Sequence, residues 1–80
     1  MEVVDKILTE EENIKLQADA VANLYRAALF LARGSRKAGF EFLKKAQERL
    51  DIKLDLILEN RADELYWAEK ILDQYHKARL

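Results

Sequence analysis

The sequence predicts an all-α protein, a helical hairpin or three-helix bundle with helices at about 10–33, 36–59 and 61–79, completed by self-association into a four- or six-helix bundle. Three observations carry this expectation. The 80 residues include no proline and only two glycines, while alanine, leucine, glutamate, lysine and arginine, which lose little rotamer freedom in a helix, are abundant. Apolar residues recur at three- and four-residue steps along most of the chain. Half of the residues are hydrophobic and 36% are charged, which suits a small folded domain and not a disordered chain.

Residues 1–9 are expected to form an apolar arm or short helix carrying Val3, Val4, Ile7 and Leu8. Thr9-Glu10-Glu11-Glu12 reads as a capping box, with the threonine hydroxyl accepting from an early amide and Glu12 reaching back, so a helix is expected to start at Glu10. Three glutamates in the first turn also suit the positive end of the helix dipole. From there Ile14, Ala18, Val21, Tyr25, Ala28 and Ala32 share one face, the expected core face. Gly34 can take the left-handed conformation that ends a helix, and Ser35 can cap the next one.

The second helix is expected to bury Phe40, Leu43, Gln47, Leu50, Leu54, Ile57 and Leu58. Residues 50–56, Leu-Asp-Ile-Lys-Leu-Asp-Leu, also alternate as a strand does, but no second strand is available to pair with them, so helix is preferred. Asn60 marks the start of a third helix at Arg61, unless residues 36–79 run on as one long helix. The third helix carries Leu65, Ala68, Leu72 and Tyr75 inward.

On these helices some apolar residues fall opposite the main stripes. Leu16, Ala20, Ala27 and Phe30 oppose the Ile14/Val21/Ala28 face, Phe42, Ile52 and Leu56 oppose the stripe of the second helix, and Trp67 lies far from Leu65 and Leu72. Nearly opposed apolar sectors imply burial from two sides. The blander account is that the middle helix touches both of its sequence neighbours. These eight residues are therefore the expected interface, and a homodimer or the binder of a partner helix is the expected assembly.

Charge is segregated along the chain. Residues 25–53 hold eight bases and three acids, for +5, within a protein of net charge -1. Arg26, Arg33, Arg36 and Lys37 cluster around the turn, beside the free amides at the start of the second helix, which gives an alternative expectation of a small nucleic-acid-associated regulator. The acidic pI of 5.8 argues for the blander account, a basic helix laced to acidic neighbours by pairs such as Lys37 with Glu41.

Motifs for chemistry are sparse, and no enzyme and no cofactor is expected. Without cysteine there is no disulfide, thiolate zinc site or cysteine nucleophile. Ser35, the only serine, is accounted for as a cap, and Gly34 and Gly39 do not form a phosphate-cradling loop. Glu10–Glu12 point in three directions, unlike the spaced acidic pairs that hold magnesium. Asp73 and His76, one turn apart, are a weak metal candidate, because the inward stripes supply no further carboxylates. The first residues lack a signal peptide's basic start and apolar run, and Ala27 to Ala32, the longest apolar run, is far short of the roughly 18 residues of a membrane span. A cytoplasmic, non-enzymatic interaction or assembly module is the expected function, with helix-in-groove packing as its mechanism and charge setting register.

Overall fold

The computed structural model describes residues 10–79, and within them it contains three helices and no strand: α1 (Glu10–Ala32), α2 (Arg36–Gln47) and α3 (Arg61–Ala78). The Thr9 cap and the apolar arm at 1–9 lie outside the described residues. No helix among the described residues is long and apolar enough to cross a membrane.

The first turn forms as its residue types require. Gly34 has φ 86°, a conformation that its missing Cβ makes accessible. Its N–H donates to the Leu31 carbonyl at 2.9 Å and the Ser35 N–H to the Phe30 carbonyl at 2.9 Å, the two bonds of a Schellman motif. Ser35 occupies the N-cap position of α2, but its hydroxyl makes no capping bond, and its carbonyl accepts from the Gly39 N–H. Asn60 does cap α3. Its side chain accepts from the Asp63 N–H at 3.0 Å, while the Asp63 carboxylate accepts from the Glu59 N–H at 2.9 Å.

The expected second helix at 36–59 is corrected: α2 ends at Gln47, and residues 51–58 form neither helix nor strand, with burial that alternates residue by residue as in an extended chain. Ile52, Leu54, Leu56 and Leu58 are half-buried against the core, while Asp51, Lys53, Asp55 and Ile57 are exposed. The alternation explains the choice. A continued helix would send Ile52 and Leu56 away from Leu54 and Leu58, whereas an extended chain turns all four apolar side chains to one side. The sequence-based objection, that a lone strand needs a second strand, overlooked burial of one face against helices.

Helix α1 is the centre of the molecule. It contacts both α2 and α3, which have little contact with each other, and the extended segment packs on the same core. Leu24, Leu31 and Ile71 are the largest fully buried side chains, with Ala20, Ala27, Ala28, Leu43, Ala46, Leu50 and Ala68 around them. Small residues let α2 approach α1 closely. A Cβ added at Gly39 would stand 3.3 Å from both the Leu31 backbone nitrogen and its Cβ.

The core face of α1 is therefore reassigned. Ala20 and Ala27, on the expected interface face, are 3% and 0% exposed, whereas Ile14 and Tyr25, on the expected core face, are 63% and 47% exposed. The two apolar faces of α1 meet two neighbours, α2 and α3, both within the same chain.

Candidate association surface

One buried acid organises the end of the molecule where the C-terminus of α1 meets the starts of α2 and α3. Glu64 is buried, and its two carboxylate oxygens receive two guanidinium groups: Arg36 Nε at 2.6 Å and Arg61 at 3.0 Å. Arg36 also donates to the Leu58 carbonyl at 3.3 Å, and Arg61 donates to the Ala32 carbonyl, an orphan acceptor of the last turn of α1. The hydrogen bond from Arg36 holds the Glu64 carboxyl below the usual carboxylate range, assisted by Arg61 and opposed by burial. This cluster joins α1, α2, α3 and the extended segment through side chains that sequence periodicity does not reveal.

The cluster also changes the standing of the basic turn. Arg36 is committed to Glu64, and Arg26 receives its contact from Asn23, its guanidinium donating to the Asn23 side chain at 3.0 Å. Arg33 and Lys37 are exposed, with the Arg33 guanidinium 6.0 Å from the Phe30 ring centre.

The remaining expected interface residues spread over several surroundings. Phe30 and Phe42 stack on each other across α1 and α2, 5.4 Å between ring centres. Ile52, Leu56 and Trp67 are half-buried against the core, and Trp67 meets Tyr66 edge-on. Leu16 is 40% exposed and lines a shallow cleft with Asp19, Asn23, Lys45 and Arg49. Asp73 and His76 are both exposed, and among the described residues no three His, Cys, Asp or Glu side chains converge as a metal site requires.

Open apolar surface lies instead along the seam between α1 and α3. One groove there is lined by Tyr25, Ala28, Leu29, Ala32, Leu65, Ala68, Glu69 and Leu72. A second continues it toward the other end, lined by Ile14, Gln17, Ala18, Val21, Ala78 and Arg79. Tyr25 and Tyr75 bridge the two helices with ring centres 5.3 Å apart. Leu65 is 45% exposed, close to Tyr25 in this respect. Sequence reasoning found this stripe but assigned it to the core, because periodicity shows that residues share a face and not what the face meets.

No protein-family model, curated protein or solved structure matches this chain. The surface itself therefore supplies the argument about function.

Proposed function

We propose that this chain is a non-enzymatic association module that docks another protein chain, most simply a second copy of itself, on the α1–α3 face. One observation carries the reading. The apolar stripe of α1, Ile14 through Ala32, borders two open grooves, and of its residues only Ala28 is buried in the chain's own core. Scattered exposed apolar residues are ordinary, but a groove lined on both walls by apolar side chains over two helices is what a docking helix fills.

The nucleic-acid alternative is supported by the exposed Arg33 and Lys37, but Arg36 serves the internal Glu64. Light scattering after size exclusion tests the choice, comparing the natural chain with Leu65→Asp. The natural chain should run above 9.4 kDa and the variant at that mass with its helicity retained. Identical masses for the two overturn this docking face. Duplex binding with a steep salt dependence would favour the alternative.

A further inference from the structure

We infer that the α1–α3 groove is filled by the bare N-terminal half of α1 from a second copy, the two α1 helices lying antiparallel about a two-fold axis near Ala18 and Val21. This rests on the α1–α3 face being the docking surface, and it names the occupant and the orientation.

Helix α1 runs on past the end of α3. Every residue from Glu10 to Asp19 is exposed, Ile14 at 63%. Helix α3 ends at Ala78, and Ala78 and Arg79 share a groove with Gln17 and Ala18, so the first turns of α1 lie beyond it. A helical stretch this short has little stability in water without something to pack on. The other half of α1 has the converse deficiency, because a groove beside Tyr25, Ala28 and Ala32 stands open against Leu65 and Leu72. Each chain thus carries one uncovered helix half and one unfilled groove. A two-fold pair in which each copy places its helix half in the other's groove satisfies both at once and closes.

The apolar stripe suits this pairing. Ile14, Val21 and Ala28 stand seven residues apart, as do Ala18, Tyr25 and Ala32, the spacing of helices packed side by side along their length. About an axis near Ala18 and Val21, Ile14 of each chain comes level with Tyr25 of the other. The two α3 helices then lie end to end, since each stops near the level of the axis. The paired length of α1 is about 30 Å. With the α3 wall of each groove added, the contact reaches the scale of the roughly 800 Å² per partner that stable interfaces bury.

Two other arrangements fit less well. A copy that sets α1 beside α3 alone leaves Glu10–Gln17 bare. A copy with the α1 helices parallel lets the two bare halves meet only each other, and it also sets like charge on like. From Glu10 to Val21 the helix carries Glu10, Glu11, Glu12 and Asp19 against Lys15, whereas from Ala22 to Arg33 the charged residues are Arg26 and Arg33. Antiparallel pairing brings the acidic half onto the basic half. Helix α3 carries both signs, Glu69 and Asp73 with Lys70 and Lys77, and does not choose between the two.

Ile14→Asp should weaken self-association roughly tenfold or more, because it puts a charge into the partner's groove. Its fold should survive, since Ile14 is exposed within one chain, and circular dichroism verifies this. The chain has no cysteine, so Asp19→Cys, Arg26→Cys and Arg33→Cys each accept a single spin label at an exposed position. Label separations in the dimer, read by pulsed electron resonance, should be shortest at Asp19 and lengthen through Arg26 to Arg33, as the axial offset grows by about 3 Å per residue. Equal separations at all three positions overturn the antiparallel arrangement. If Leu65→Asp dissociates the dimer and Ile14→Asp does not, the bare half of α1 is not the occupant and the docking face stands. If the natural chain sediments as a monomer, both fall.

Discussion

Arg36 Nε lies 2.6 Å from Glu64 Oε2, and this contact ties the first residue of α2 to the first turn of α3, two helices that otherwise have little contact. The two residues stand 28 positions apart in the chain. The Glu64 carboxyl, held below its usual range chiefly by Arg36, has a lower pKa in the fold than in the unfolded chain. Its contribution is fully present above the unfolded-chain value and is lost as pH falls through the lowered folded value. Thermal melts from neutral pH into acid should show the natural chain losing stability in that window. Glu64→Gln should be less stable at neutral pH and show a shallower acid decline; equal slopes for the two proteins would contradict this account.

Gly39→Ala should destabilise the protein although alanine is the better helix former. The gain of about 1 kcal/mol in helix propensity is opposed by a Cβ 3.3 Å from the Leu31 backbone nitrogen, an atom fixed within α1. A net loss of about 1 kcal/mol in urea unfolding is expected. A gain in stability would show that α2 can move away from α1 at little cost.

The extended segment predicts an ordering that a helix there would reverse. Leu56 is half-buried and Ile57 is 67% exposed. Leu56→Ala should cost about 1–2 kcal/mol, whereas Ile57→Ala should fall within about 0.5 kcal/mol of the natural chain. Chemical denaturation of both variants decides the matter, and a larger cost at Ile57 would restore the helical reading of 51–58.

Backbone amides give an independent measure of the same segment. From Lys53 to Ile57 no backbone N–H has a protein partner among the described residues, whereas the amides around Leu24 and Leu31 lie within α1. Hydrogen exchange should therefore be fast from Lys53 to Ile57 and slow in the middle of α1. Uniform protection through both regions would show that the segment is paired.

Much of this fold is legible in the sequence, and the misreadings share a physical cause. Gly34 and Asn60 announce their turns because each supplies a local device, a positive φ or a capping oxygen, that needs no distant partner. The 50–56 alternation is visible too, but its conformation depends on whether α1 offers a surface for one face. Likewise the two stripes of α1 are readable, while their assignment to inside and outside depends on where α2 docks. Ala20, Ala27 and Gly39 made that contact possible by being small, a signal easily passed over when large apolar residues are sought. The Arg36–Glu64–Arg61 cluster had no sequence signal beyond three charged residues.

The central claim is that the α1–α3 face is covered by a second chain, and the mass of the natural protein in solution tests it most directly. Sedimentation equilibrium across a micromolar concentration series should give a mass approaching twice 9.4 kDa as concentration rises, with dissociation on dilution. A single species of 9.4 kDa at every concentration would contradict it.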